Sequence, residues 1–482
     1  MADIDDRLRE VEHEIFARRP EHQIDPTLDR VAMLASLLGD PQRSFQVVHV
    51  TGTNGKTSMA RMIDSLLRER GLRTGRFTSP HLISVRERIT IDGAPLSAER
   101  FIELYDEILP YVQLTDERQP APLSFFEVLT GMMFAAFADA PVDVAVIEVG
   151  LGGRWDATNV ADGAVAVVGP VAMDHMQYLG DTLEAIANEK AGIIKPGAVA
   201  ILAQQQLAAA EVLLAQAASV GATVAREGIE FGVLAREMAV GGQQLVLQGL
   251  RGTYPDVYLP LFGEHQAGNA ACALAAVEAF AGVSEAVAGD AVSLYSAALD
   301  PDLVRAGFAK VSSPGRLEIL RRSPTVITDA AHNPAGMAVT LAAITESFHF
   351  TRVIGVVSVM ADKDVAGLLE ELEPVLSDIV VTSNSSPRSM SAEELAEVAR
   401  DVFGEDRVLV HDRLDDALEA AVGLADEQVG EELPGSAAVL VTGAVVTAGD
   451  ARRLLVPGGA PDAPPPEPET PARHSFTVGD LS

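Results

Sequence analysis

Cysteine is nearly absent from this chain: Cys272 is the single one in 482 residues. No disulfide framework can form within the chain, which fits a reducing cytoplasm. Cys272 itself lies in the apolar stretch NAACALAAVEAF and reads as a small core residue. Cations are scarce as well. Lys and Arg total 36 against 69 Asp and Glu, a formal net charge of −33. Such a balance leaves out nucleic acid and anionic membrane as partners, because both need a basic footprint. It leaves room for small anionic substrates, since a few local cations and a metal reverse the field at a site. No apolar run reaches the roughly 18 residues of a membrane span. The N-terminus, MADIDDRLREVEHEIF, has neither the basic start nor the apolar block of a secretion signal. The expectation is a cytoplasmic protein.

What is present is apolar mass. Hydrophobic residues make up 48% of the chain, and its length argues for two domains. FQVVHVT (45–51) is a short apolar run ending in glycine-rich sequence. After it, Met59, Met62, Ile63, Leu66 and Leu67 recur at helical spacing. DVAVIEVG (143–150) and GAVAVVGPV (163–171) are two further buried strands. Strands alternating with helices predict a mostly parallel α/β sheet. Residues 223–262 are rich in glycine and short alternating runs, and predict an antiparallel β-rich subregion. EHQAGNAACALAAVEAF (264–280) predicts a helix. KVSSPGR (310–316) reads as a linker, and about five more strands follow, each with its helix or loop. The expected fold is therefore α/β: a P-loop-containing domain at 1–312 and a smaller Rossmann-like α/β domain at 313–456. The proline-rich tail, 457–482, is expected to be disordered.

HVTGTNGKTS (49–58) sits between strand and helix. Such a loop aims backbone N–H groups and the helix dipole at an anion. Lys56 adds a cation for the phosphates and Thr57 a hydroxyl for Mg²⁺. Only two residues separate Gly52 and Gly55, against four in the common spelling. Glu148 ends a buried strand, where open α/β sheets bind ligands. Asp174 and His175 follow the third strand; each alone reads as well as a structural residue. Lys190, preceded by Glu189, reads alone as half of a solvated helix pair. TSPHLISVRERI (78–89) adds Ser79 and His81, with Arg86 and Arg88 alternating as on a strand face. DAAHNP (329–334) closes the first strand of the second domain with an acid, a histidine and an amide.

Together these segments resemble one family, the ATP-dependent Mur-type amide ligases, and within it the folylpolyglutamate synthases, commonly bifunctional with dihydrofolate synthase in bacteria. The residues that carry the resemblance are TGTNGKTS, TSPHL with ERI, EVGLGGRWDATN, DHMQYLG, EKAGIIK, GEHQAGNAACAL, PGRLE, DAAHNP and VTGAVVTAGDARRLL. They run in family order over nearly the whole chain except the tail. The family uses G-T-N-G-K-T in place of the longer loop, which accounts for the short spacing.

The resemblance implies two Mg²⁺ ions, one held by Ser79 and Glu148, the other by His175 and a carbamylated Lys190. CO₂ addition turns a repelled ammonium into an oxygen-donor anion, which Mg²⁺ prefers. It implies ATP held by Thr53, Asn54, Gly55, Lys56, Thr57 and Ser58, with Asn269, Arg316 and Asp329. Lys56, Lys190 and His332 carry over as catalytic. The pterin is expected near Ser124, Phe125, Phe126, Glu127 and Trp155, with Thr27 and Leu28 as a further contact segment. Ser383, Ser385 and Arg388 are candidates for the cleft. One departure is Ala330, where the family usually has glycine; alanine costs stability there if the backbone needs positive φ.

The implied reaction passes the γ-phosphoryl group of ATP to a carboxylate of dihydropteroate or of a folate γ-glutamyl group. The amine of L-glutamate then attacks the acyl phosphate. Alternatives are folylpolyglutamate synthase activity alone, a cell-wall Mur ligase, a simple P-loop ATPase or kinase, and a nucleotide-regulated interaction module. The cell-wall ligases usually carry an extra N-terminal domain, and the roughly 40 residues before the loop strand are too few for one. The expected protein is a monomer that binds dihydropteroate, folates and L-glutamate.

Overall fold

Successive residues of a strand face opposite ways, so a strand buried on both sides needs apolar residues throughout. The computed structural model, which describes residues 2–20, 23, 25–287, 298–426 and 437–456, has two sheets built on this rule. The first has eight strands: β1 (Gln46–Thr51), β2 (Thr74–Phe77), β3 (Ile89–Ile91), β4 (Ala94–Pro95), β5 (Val144–Glu148), β6 (Val165–Val168), β7 (Val199–Leu202) and β8 (Thr223–Arg226). Their order is β4-β3-β2-β5-β1-β6-β7-β8, parallel from β2 to β8, with β3 and β4 antiparallel at one edge. Val48, Val50, Val144, Val146, Val165 and Val167 face one apolar layer. Val47, Ala145 and Ile147 face a second, beneath the N-terminal helices.

The first layer is closed by the helix Lys56–Glu69 and by a long helix, Glu264–Val287, which carries Cys272 in its buried face. Alanines at 267, 270, 271, 273, 275 and 276 let that long helix sit close to the sheet. A three-stranded antiparallel sheet covers its far side: β9 (Gly232–Ala239), β10 (Gly242–Gln248) and β11 (Thr253–Leu259). The β-rich subregion expected at 223–262 is thus narrower. Thr223–Arg226 joins the main sheet instead, because it pairs in parallel with Val199–Leu202.

The second sheet has six strands in the order β12-β13-β17-β14-β15-β16: β12 (Glu318–Arg322), β13 (Thr325–Thr328), β14 (Arg352–Val357), β15 (Asp378–Val381), β16 (Val408–Val410) and β17 (Ala437–Thr442). Five are parallel and match the expected series. The sixth, β12, is an antiparallel edge that begins at Glu318, the last residue of the PGRLE motif, and has no counterpart among the expected strands. Ile354, Val356, Val439 and Val441 face one layer, and Val353, Val357, Ile327 and Leu440 the other. Arg86 and Arg88 do not alternate on a strand: Val85–Arg88 is one turn of 3₁₀ helix, capped by Ser84 and Glu87. The Glu87 carboxylate accepts from the backbone N–H groups of Leu82, Ile83 and Ser84, which the local turn leaves unpaired. The tail, 457–482, lies outside the described residues.

Candidate active site

Strand β1 is flanked by β5 and β6, so the loops that follow these three strands open into one crevice at their carboxyl ends. The first loop is Gly52–Gly55. Gly52 has φ +146°, and a Cβ there would lie 3.0 Å from the Gly169 Cα. Gly55 has φ +83°, and its Cβ would lie 2.5 Å from Asn269 Oδ1. Both glycines of the short spelling are therefore required by the close approach of a neighbour. Thr53 Oγ1 donates to Ala172 O and accepts from Ala172 N, which clips this loop to the one after β6.

Lys56 opens the helix and its Nζ donates to Gly52 O at 3.2 Å and Thr53 O at 3.0 Å. Desolvation lowers its pKa, with Glu148 and Asp174 opposing. Thr57 Oγ1 lies 3.0 Å from both oxygens of Glu148. Glu148 is 1% exposed and also accepts from Ser79 N at 3.3 Å. Burial pushes its carboxyl above the ordinary carboxylate range, while Lys56 and these donors pull it back. The Thr57 hydroxyl and the Glu148 carboxylate thus meet directly, with the Ser79 backbone N–H on the same carboxylate.

Lys190 is not half of a solvated pair. It is 4% exposed on the helix Leu183–Ala191, and its Nζ donates to Gly52 O at 2.8 Å. Burial, with Lys56 second, pushes its pKa down to about 7, so the neutral amine is accessible at ordinary pH. The G-L-G-G loop packs tightly on this helix: a Cβ on Gly153 would lie 2.9 Å from Glu189 O. His175 adopts φ +51° and, with Lys56, Lys190 and Asp174, lines a cavity of about 20 Å³. Burial drives the His175 imidazole down to about 4, leaving it neutral.

Residues of the second sheet reach the same crevice. His332 Nδ1 donates to Ala330 O at 3.0 Å, so the neutral ring keeps its lone pair on Nε2. Burial and Lys363 lower that ring to about 4. Asn333 pairs with Asn54 and donates to Asp174 Oδ2 at 2.9 Å, and Ser58 meets Ser313 at 3.2 Å. Asn269 bonds Gln266 and backs the loop; Arg316 is half-buried beside it. Asp329 is occupied internally: it accepts from Leu317 N, Ala331 N and Thr340 Oγ1, and so shapes the D-A-A-H-N-P turn. Ala330 is not among the positive-φ residues, so the alanine there carries no backbone strain.

A larger cavity of about 510 Å³ adjoins Ser79 and His175 and lies between the sheets. One wall is aromatic. Phe16 stacks on Phe125 at 5.1 Å, Arg88 lies 4.9 Å over Phe125, and Phe126, Trp155 and Thr27 also line it. Ser124 and Glu127 line it too, but the Glu127 carboxylate is held by Arg30 at 3.0 Å and by Ser124 N. Leu28 is not among the lining residues; it packs against the apolar layer behind. The opposite wall comes from the second sheet and includes His332, Lys363 and Arg388. Arg388 pairs with Asp362 at 2.6 Å, whereas Ser383 and Ser385 do not line the cavity. Lys363 was absent from the sequence reading. Its only signal was a lysine between two acids in ADKD, just beyond a parallel strand's carboxyl end.

Comparison with known proteins gives concordant results. Residues 111–277 match the Mur ligase middle domain, and residues 315–445 match the Mur ligase glutamate ligase domain. The chain is 51% identical over 466 residues to a dihydrofolate synthase/folylpolyglutamate synthase of Mycobacterium tuberculosis, covering 93% of this chain and 94% of that protein. It is 34% identical to the dihydrofolate synthase/folylpolyglutamate synthase of Escherichia coli over 78% of this chain and 81% of that one. The solved M. tuberculosis folylpolyglutamate synthase complexed with ADP superposes with a TM-score of 0.88 at 50% identity, covering 94% of this chain and 99% of that one. The E. coli protein solved with DHPP and ADP gives 0.77 at 29% identity, covering 94% of this chain and 97% of that one.

Proposed function

The chain belongs to the dihydrofolate synthase/folylpolyglutamate synthase family of Mur ligases, and from that premise we propose that it joins L-glutamate to dihydropteroate and to the γ-carboxylate of folates at the expense of ATP. The observation that carries the reading is the convergence of loop 52–58, Glu148 and Lys190 beside the aromatic-walled cavity. In this reading 1–312 is the nucleotide unit, 313–456 the amino-acid unit, and the protein acts as a cytoplasmic monomer. Among the described residues no helix is long and apolar enough to cross a membrane.

Loop N–H groups, the dipole of helix Lys56–Glu69 and Lys56 receive the β- and γ-phosphates, while Asn269 and Arg316 hold the remainder of the nucleotide. The acceptor carboxylate takes the γ-phosphoryl group: an O–P bond forms and the bond to ADP breaks. The glutamate amine then attacks the acyl carbon, phosphate leaves, and the amine gives up a proton. Phe126 and Trp155, with Phe16 and Phe125 stacked beside them, form the aromatic wall against which a flat pterin packs.

The Glu148 carboxylate, with the Thr57 hydroxyl on it and Ser79 adjoining through its backbone, fits Mg²⁺, which is usually bound by one or two carboxylates together with phosphate oxygens; Ser79 would add its hydroxyl. A second site would use His175 and Lys190, whose neutral amine is the form that takes up CO₂ as a carbamate. Bound there, Mg²⁺ supplies charge neutralisation for the transferring phosphoryl group. Incubation with ATP, L-glutamate and either dihydropteroate or a reduced folate monoglutamate tests the reading by product mass. A gain of one glutamyl residue in both incubations is expected. A gain in one only restricts the activity, and a gain in neither refutes it.

A further inference from the structure

Asp174 has a role that metal binding does not supply. It follows β6, on the first sheet's side of the crevice, yet two of its three hydrogen-bond partners, Asn333 and Lys363, come from segments that follow strands of the second sheet. Oδ1 accepts from Lys363 Nζ at 3.1 Å and from His175 N at 2.8 Å. Oδ2 accepts from Asn333 Nδ2 at 2.9 Å. The Asp174 and Lys363 side chains are 10% and 12% exposed, so water screens the pair little.

The partners are placed for a mechanical task. Asn333 caps its helix through Gly336 N at 2.7 Å and meets Asn54 of the phosphate loop at 3.3 Å. One amide thus touches the loop, Asp174 and the start of the helix that follows the D-A-A-H-N-P turn. Lys363 sits on the loop after β14, which a backbone bond from Ala361 N to Arg388 O ties to its neighbour. Lys363 and Arg388 thus line the large cavity from two loops that are bonded to each other.

We propose that Asp174 is a positioning residue that registers the second domain on the phosphate loop through Asn333 and Lys363, so that the acyl phosphate meets the amine before water. The inference rests on the ligase reading above. Asp174 touches no reacting atom in this scheme; it fixes the distance between the wall that presents the amine and the loop that presents the phosphoryl group. Its loss separates ATP cleavage from amide formation.

The test measures ADP and amide product together, at saturating ATP, acceptor and L-glutamate, for the wild type, Asp174→Asn, Lys363→Met and the double variant. Each single variant is expected to raise the ADP-to-amide ratio by about tenfold, the scale of one charge-assisted hydrogen bond. The double variant is expected to be no worse than the worse single one, because both remove the same contact. Equilibrium ADP binding and the thermal midpoint, measured alongside, establish that the variants are folded and loaded. An unchanged ratio in folded, ADP-binding variants overturns the proposal. So does a rise in the Mg²⁺ concentration for half activity with no change in ratio, which would make Asp174 a metal residue. A wild type that forms no amide refutes the ligase reading instead, which the ratio in variants does not address.

Discussion

Lys190 changes meaning between sequence and structure. In the sequence it stands beside Glu189 and looks solvated; in the structure it is buried against Gly52 O with its pKa near 7. A carbamate forms from the neutral amine, which predominates as pH rises through about 7. Activity that depends on added bicarbonate is therefore expected to appear above that pH and fade below it, in a pH series with and without bicarbonate. Lys190→Arg is expected to be inactive because guanidinium stays cationic. Lys190→Ala is expected to regain part of its activity in high formate or acetate. An active arginine variant would remove the carbamate from the scheme. For Lys56→Ala we expect ATP turnover to fall by at least about 100-fold, read in a steady-state ADP assay, with circular dichroism unchanged. Glu148→Gln keeps the acceptor that Thr57 uses but removes the charge facing Lys56. The Mg²⁺ concentration for half activity is expected to rise in that variant; an unchanged value would reduce Glu148 to a strand end.

At the scale of elements, β1 hides a titration. His49 is wholly buried, its Nε2 bonded to Thr158 Oγ1 at 2.9 Å, and burial pushes it from 6.5 to about 3. The folded state keeps the ring neutral while the unfolded chain protonates it. Its contribution is fully present above pH 6.5 and is lost as pH falls towards 3. In that window stability should fall by up to about 1.4 kcal/mol per pH unit from this group. Urea unfolding across the window checks this, and His49→Gln should flatten the slope. Sequence patterning found β1, β5 and β6 because their two buried faces demand unbroken apolar runs. It found the loop because Gly52 and Gly55 have to be glycine. It misjudged Arg86 and Arg88, since a single 3₁₀ turn is too short to leave a period of its own, and here Val85, Glu87 and Arg88 are all buried. It missed Lys363 and the registering role of Asp174 because neither has a local pattern; their partners lie 159 and 189 residues apart from Asp174 along the chain.

For the whole molecule, the loop, the long helix and segments after the second sheet's strands all border the crevice proposed to hold nucleotide, so nucleotide should stabilise both sheets together. ADP with Mg²⁺ at 100 times its dissociation constant should add about 2.7 kcal/mol. Calorimetry should show one transition moving up. Two transitions, with only the first shifted, would mean that the sheets unfold independently.

The helix Glu264–Val287 has a further consequence. It begins beside the Gly52–Gly55 loop, with Gln266 and Asn269, and Glu278, further along it, is tied to Tyr254 of the antiparallel sheet at 2.6 Å. Its alanines pack against neighbours on every side, leaving no solvent-facing stripe between residues 270 and 281. Placed in deuterated water, the protein should surrender the amide protons of this stretch last. Their exchange can proceed only when the whole first domain opens. The first turn, by contrast, should slow when nucleotide is added. One rod then carries two clocks, the middle timing global opening and the end timing occupancy of the crevice.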